Sequence, residues 1–135
     1  VVLAFLMPIV ASMGGNAGMQ TLAVTVRTIA TNDLTKNNFS SNVTKEFTIG
    51  ILNGIIFAAI SALVVQIWFQ DNILSIIISI SMVLTMIIAG LFGILVPFTL
   101  KKMNIDPAIA SSVFVTTITD VIGFVSFLGV GAFFL

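Results

Sequence analysis

Long apolar stretches, separated by short polar segments, dominate the pattern of the chain. Four of these stretches are long enough for a bilayer-spanning helix, which needs roughly 20 residues. The predicted spanning helices cover approximately residues 1–30, 47–69, 73–100 and 107–135. Pro107 suits a first helical turn, and Asp106 suits the N-cap before it. The pattern predicts an all-α, polytopic helical membrane protein.

Only one polar connection, residues 31–46, is long enough to form an appreciable loop. Its Asn, Ser and Thr content indicates a solvated linker rather than a separate domain. We therefore expect residues 1–135 to form one transmembrane domain. The chain starts at Val1 inside an apolar run, without Met or a basic flank, which indicates a fragment rather than a signal peptide. Any upstream helix or soluble domain would lie outside it.

The basic residues predict how the helices are oriented in the membrane. They lie in or beside the first and third polar connections, whereas the second carries only Asp71. The five basic residues are Arg27, Lys36, Lys45, Lys101 and Lys102. The positive-inside rule assigns these connections to the cytoplasm. We therefore expect a multi-pass protein of the cell membrane with both chain ends on the outer side. Trp68 would then be an interfacial anchor on the outer side.

Composition restricts the classes of function. The chain is 59% hydrophobic and 7% charged, with a mean hydropathy of +1.24, whereas about a quarter of the residues in soluble domains are charged. A net charge of zero argues against a nucleic-acid partner. The absence of His and Cys excludes imidazole and thiol metal sites, disulfides and Ser–His or Cys nucleophiles in this chain. A bound cation must therefore have oxygen ligands.

Asp120 is the strongest candidate for a functional residue. It is the sole charge in the apolar stretch from residue 107 to residue 135. A carboxylate at that depth costs roughly 2.5–3.5 kcal/mol on insertion scales, so it usually faces a polar cavity. The alternative is a structural carboxylate that is hydrogen-bonded between helices.

Polar residues share one face of the fourth predicted helix with this acid. At about 100° per residue they fall within one arc of the helix. The face consists of Ser112, Thr116, Thr119, Asp120, Gly123 and Ser126. We predict that it lines an aqueous path. The alternative is that the hydroxyl groups bond to carbonyl groups of their own helix.

The first predicted helix carries a comparable ladder. Pro8, Ser12, Asn16 and Gln20 recur at four-residue spacing, and the Gly14-Gly15 pair is expected to interrupt the helix beside them. Irregular or glycine-rich helices at membrane depth occur where they pack in protein or line a cavity. Asn16 would supply a carboxamide oxygen at a depth similar to Asp120. A kinked helix with an interhelical Asn hydrogen bond is the alternative.

Pairs of small residues at four-residue spacing predict close helix packing. They are Gly50 and Gly54, Ala58 and Ala62, and Ala89 and Gly93. Packing within the chain is favoured over a dedicated dimer motif. Because four helices enclose little volume, a conducting path would need a second copy, and we expect a two-fold homodimer.

The candidate ion site contains only oxygen ligands. Asp120, Asn16 and Thr116 are the proposed metal-binding residues within the membrane, and other small or polar residues would line the path around them. These are Ser12, Gly15, Gln20, Ser112 and Gly123. Mg²⁺ suits such a site, because it is bound through one or two carboxylates and retains several waters. Monovalent cations and protons stay open as alternatives.

Two motifs in the chain resemble the signature of the MgtE family of magnesium channels. The first is PIVASMGGNAGMQ at residues 8–20, followed by Arg27. The second is DPAIASS at residues 106–112, with TTITD at residues 116–120. The resemblance covers essentially the whole chain and extends to the related eukaryotic Mg²⁺ solute carriers.

The resemblance implies a homodimeric channel that conducts hydrated Mg²⁺ through a pore between subunits. It makes Asp120 the main selectivity acid, places Asn16 on the pore, and puts Thr116 one turn from the acid. Asp106 would lie at the cytoplasmic mouth and take part in closure by Mg²⁺, which makes Mg²⁺ a regulatory ion too. Family members usually have five membrane helices after cytoplasmic regulatory domains, so this chain would supply the last four.

Three other functions are weaker. A carrier that couples divalent-ion movement to Na⁺ or H⁺ would use the same site and is the first alternative. An intramembrane aspartyl protease needs two carboxylates at membrane depth, whereas only Asp120 qualifies, so we expect no enzyme. A purely structural membrane subunit is the remaining possibility.

Overall fold

Four α-helices make up nearly all of the described structure. The computed structural model describes residues 2–31 and 39–134, and within them no residue is in a β-strand. The helices are α1 (Val2–Ala30), α2 (Phe39–Phe69), α3 (Asn72–Lys102) and α4 (Pro107–Phe134). The predicted all-α class is confirmed, and α4 begins at the predicted Pro107.

The start of α2 corrects the predicted linker. Residues 39–46 were expected to be a solvated loop, but α2 already begins at Phe39. Its first turns are exposed or half-buried, and the Thr44 and Thr48 hydroxyl groups each donate to the carbonyl four residues earlier, at 3.0 Å. The polar composition of residues 39–46 therefore shows where the apolar part of α2 begins, not where the helix begins. Residues 32–38 of the predicted linker lie outside the described residues.

α1 continues without a break through the segment that was expected to interrupt it. Both Pro8 and the Gly14-Gly15 pair lie inside the helix. A helix satisfies its own backbone hydrogen bonds, which lipid cannot do, so glycine alone gives little reason to unwind at membrane depth. Gly14 and Gly18 are buried, so these positions serve close packing instead of a break.

The connection between α2 and α3 is a tight turn. Gln70 has a positive φ of 53°, and Asp71 then caps α3 by accepting hydrogen bonds from the backbone N–H groups of Ile73 and Leu74, at 3.0 and 3.2 Å. The carboxylate satisfies N–H groups that the first turn of a helix leaves unpaired. A structural role therefore accounts for this acid.

α3 is the central helix of the bundle. It packs against α1, α2 and α4, and α1 also packs against α4. Its side chains supply most of the fully buried core, which Val10 of α1 and Phe127 of α4 complete. The core residues from α3 include Ile77, Ile78 and Met82. Opposite faces of α1, α2 and α4 remain exposed on the protomer surface.

Glycines set the close approach of α2 to α3. A Cβ atom at Gly50 would lie 2.8 Å from Ile87 Cα, and one at Gly54 would lie 2.9 Å from Val83 Cα. Backbone atoms occupy the space that a side chain would need. These small residues pack within the chain, which confirms the favoured interpretation of their spacing.

Three segments of the described chain are long and apolar enough to cross a membrane. They are Phe39–Phe69, Asn72–Lys102 and Ser111–Phe134. The 29-residue α1 is also long enough, but Ser12, Asn16 and Gln20 lower the hydropathy of its described part. That α1 spans the bilayer as a fourth helix stays a prediction.

Candidate functional site

The packing of α1 against α4 determines which residues lie at the same depth. A Cβ atom at Gly18 would lie 2.9 Å from Val115 Cγ1, and one at Gly123 would lie 3.2 Å from Ala11 Cα. Lower numbers on α1 thus meet higher numbers on α4, so the two helices run antiparallel. Interpolating between these contacts puts Asn16 and Asp120 within about one turn of each other along the bundle.

Asn16 and Asp120 also project toward the same side of the helix pair. The Thr116 hydroxyl lies 3.8 Å from Met19 Sδ, across the exposed edge of the α1–α4 contact. Residues three or four apart share a helix face, so Asn16 accompanies Met19 and Asp120 accompanies Thr116. The Met19–Thr116 contact therefore marks the side on which both polar groups lie.

This side of the protomer is open. Ser12, Asn16 and Thr116 are exposed, Asp120 is half-buried, and a Cβ atom at Gly15 would meet no atom within 4 Å. We call these five residues the polar face. It combines one carboxylate with amide and hydroxyl oxygens, which are ligands for hard cations.

Part of the predicted stripe on α4 points into the protomer instead. Thr119 is buried, and its hydroxyl donates to the Thr116 carbonyl at 3.0 Å. Gly123, which was expected to line the path, is buried against α1 and provides the close approach to Ala11. Ser112 is half-buried at the edge. For Thr119 the alternative interpretation, a hydroxyl group bonded to its own helix, is confirmed.

Gln20 belongs to a second polar region. It lines a cavity of about 60 Å³ between α1, α2 and α3, together with Thr21, Glu46, Asn53 and other residues. Sequence reasoning missed Glu46 because it fell in the predicted linker. Its helical spacing to Gly50 and Asn53 is the signal that could have placed it on a face of α2.

Asp106 lies at the opposite end of α4 from the chain terminus. It is exposed in the turn after α3 and lines an open crevice of about 560 Å³ with Ile29, Lys101, Asn104 and others. This crevice lies at the end of the bundle where α1 finishes and α4 starts. Asp106 is thus well separated along α4 from Asp120, as their predicted roles require.

One carboxylate per chain is available to a cation on the polar face. Among the described residues, no group of three or more His, Cys, Asp or Glu side chains is placed to hold a metal ion. A fully dehydrated divalent ion would find too few charged ligands on the polar face of one chain. The arrangement suits a hydrated ion that contacts a carboxylate and neutral oxygens.

Comparison with known proteins adds an independent observation. The model of the MgtE family, described as "Divalent cation transporter", matches residues 7–130. Two magnesium transporters named MgtE are similar over nearly the whole chain: that of Bacillus subtilis (strain 168) is 34% identical over 100% of it, and that of Enterococcus faecalis is 31% identical over 99%. The magnesium transporter MgtE of Thermus thermophilus is 32% identical over 98%. The chain spans about 30% of the length of these relatives.

Proposed function

This chain belongs to the MgtE family of divalent cation transporters, and we propose that it forms the ion-conducting part of a magnesium channel. Hydrated Mg²⁺ passes through a pore between two copies of the chain, and Asp120 is the main ion-binding acid. Residues 1–135 act as one transmembrane pore domain in a longer protein. The family is one of transporters, in agreement with the expectation that the chain is not an enzyme.

The polar face is the observation that carries this proposal. Asp120 is half-buried in an apolar helix, with Thr116 one turn away and Asn16 at a similar depth on α1. A carboxylate within a membrane span marks an ion pathway by default, because its cost must be offset by water, a cation or a partner. Here it borders an exposed polar surface, not the core around α3.

A pore between two copies follows from where this face lies. It opens outward from the protomer, so a second copy related by a two-fold axis can present the same face to it. The pair of Asp120 carboxylates then matches the charge of one divalent ion. Because Mg²⁺ dehydrates reluctantly, the amide of Asn16 and the hydroxyl groups of Ser12 and Thr116 contact its water shell.

The placement of Asp106 supports a separate role in regulation. Lys101 and Lys102 precede it, and the positive-inside rule puts this end of the bundle in the cytoplasm, with the chain ends outside. The Asp106 carboxylate is therefore exposed to internal Mg²⁺. Regulatory domains elsewhere in the full-length protein would act on this end.

Transport by the full-length protein in liposomes tests the proposed function. We expect Mg²⁺ to enter vesicles with a Mg²⁺-sensitive dye inside, and single-channel currents in planar bilayers. Saturable flux that stops without a Na⁺ or H⁺ gradient would identify a coupled carrier instead. Absence of any Mg²⁺ flux from folded protein would leave the structural subunit as the explanation.

We predict that Asp106→Ala weakens inhibition by cytoplasmic Mg²⁺ and leaves ion selectivity intact. The side chain is exposed in the turn before α4 and lies far along the helix from Asp120. Inside-out patches give the measurement: the internal Mg²⁺ concentration for half-inhibition should rise by about tenfold, or about 1.4 kcal/mol. Altered selectivity with normal inhibition would contradict a gating role.

Water accessibility of the polar face provides a further prediction. Residues 1–135 contain no cysteine, so Asn16→Cys and Thr116→Cys can be introduced once any cysteine elsewhere in the full-length protein has been replaced by Ser. Both should react with a charged, membrane-impermeant thiol reagent. Val121→Cys is the control, because Val121 is an exposed apolar residue that follows Asp120 and points about 100° away from it around α4. Equal, slow labelling of all three positions would place the polar face in lipid.

A further inference from the structure

The second polar region, between α1, α2 and α3, contains a carboxylate that the proposed pore does not use. Glu46 is half-buried in α2, and the Thr21 hydroxyl donates to its Oε2 atom at 3.2 Å. Gln20 and Asn53 add amide groups to the lining of the cavity. This region combines residues of α1 with residues of α2, whereas the polar face is formed by α1 and α4.

We propose that this cavity is a binding site for one monovalent metal cation, Na⁺ or K⁺. Glu46 supplies a single negative charge, which one monovalent ion neutralises. The Gln20 and Asn53 amide oxygens and the Thr21 hydroxyl oxygen supply neutral ligands. A hydroxyl group that donates to a carboxylate keeps lone pairs for a cation, so the observed hydrogen bond is compatible with coordination.

The charge of the cavity favours a monovalent ion over magnesium. The cavity has a volume of about 60 Å³, whereas one water needs roughly 10–15 Å³, so an ion and its ligands fit. Mg²⁺ sheds its waters reluctantly, and replacing them with protein oxygens would require more charge than the single Glu46 carboxylate offers. One carboxylate neutralises one monovalent ion, and titration with Mg²⁺ distinguishes the two.

Gly90 of α3 forms the wall of the cavity opposite the carboxylate. A Cβ atom there would lie 3.4 Å from the Glu46 carbonyl oxygen and 3.9 Å from Glu46 Oε2. Both distances are ordinary van der Waals contacts. Gly90→Ala therefore reduces the space beside the carboxylate without forcing α2 away from α3, and it makes a steric test that keeps every ligand.

Thermal unfolding of the purified full-length protein provides the test. The protein is held in EDTA at constant ionic strength, and NaCl or KCl replaces choline chloride in separate titrations. We expect a saturable rise in melting temperature with Na⁺, K⁺ or both, because a ligand that binds the native state stabilises it. The two titrations identify which ion the site takes.

Variants assign the rise to this cavity. Glu46→Gln keeps an acceptor for Thr21 but removes the charge, and we expect it to abolish the rise. Gly90→Ala should increase the half-saturating concentration by at least about tenfold. Gly129→Ala is the matched control, since a Cβ atom there meets nothing within 4 Å, and it should behave as wild type.

Other outcomes overturn the proposal. No saturable rise in the wild type, or an equal rise in Glu46→Gln, would mean that Glu46 has only its structural hydrogen bond to Thr21. A rise with Mg²⁺ that Glu46→Gln removes would identify a divalent site. The rise should persist in Asp120→Asn, so failure of this inference and failure of the proposed pore are separate results.

Discussion

Replacing Asp120 by Asn should lower Mg²⁺ flux and weaken Mg²⁺ binding in the proposed pore by at least about tenfold, which corresponds to about 1.4 kcal/mol per site. The amide keeps the size and a hydrogen-bonding oxygen but removes the charge that attracts a divalent ion. Selectivity over monovalent cations should fall as well. Flux into liposomes over a Mg²⁺ concentration series, with and without competing Na⁺, measures both effects.

The chain offers a matched control for this substitution. Asp71→Asn makes the same chemical change at the N-cap of α3, where the carboxylate accepts hydrogen bonds from Ile73 and Leu74. Asn caps helices about as well as Asp, so folding and flux should be preserved. Melting temperatures of both variants show whether any loss reflects unfolding. Unchanged affinity and selectivity in folded Asp120→Asn would make Asp120 a structural residue.

Adding one methyl group at Gly50 should destabilise the bundle, by about 1–3 kcal/mol. A Cβ atom at Gly50 would lie 2.8 Å from Ile87 Cα and 3.2 Å from the Met86 carbonyl oxygen. Both neighbours are backbone atoms of α3, which no rotamer change can move. Gly50→Ala must therefore push α2 away from α3 and loosen the contacts along that interface.

Gly129→Ala again serves as the control for Gly50→Ala. It adds the same methyl group to a helix where nothing lies within 4 Å. Since Ala is favoured over Gly in helices, stability should be unchanged or rise by up to about 1 kcal/mol. Thermal unfolding in detergent measures both variants. If Gly50→Ala were as stable as Gly129→Ala, the α2–α3 contact could not be as close as described.

Apolar length predicted the helices well because the bilayer leaves few alternatives. A segment in lipid must satisfy its own backbone hydrogen bonds, so long apolar stretches become helices. α3 and α4 accordingly begin within one residue of their predicted starts. The same reasoning failed for residues 39–46. Bilayer thickness and hydropathy predict the part of a helix that lies in lipid, but they do not show how far the helix extends beyond it.

The role of single polar residues was less predictable. Asp120 stands out in the sequence, because one charge in a long apolar span is rare and costly, and its role in ion binding stays a prediction. Its neighbours on the predicted stripe divided in the structure: Thr116 is exposed on the polar face, whereas Thr119 and Gly123 are buried in the α1–α4 contact. The sequence gives the angular position of each residue around its own helix, but it does not show whether another helix or the protein surface lies in that direction.

The sequence by itself determined the all-α class of the protein, the approximate positions of its long apolar helices and the residue at which an ion pathway should be sought. Only the tertiary structure decided which polar groups meet. It brought Asn16 level with Asp120 through the antiparallel α1–α4 contact, and it moved Gln20 to a cavity with Glu46. The physical reason is that lipid and the protein core are similarly apolar. The hydrophobic pattern of a membrane helix therefore does not show which face contacts lipid and which face contacts the neighbouring helices.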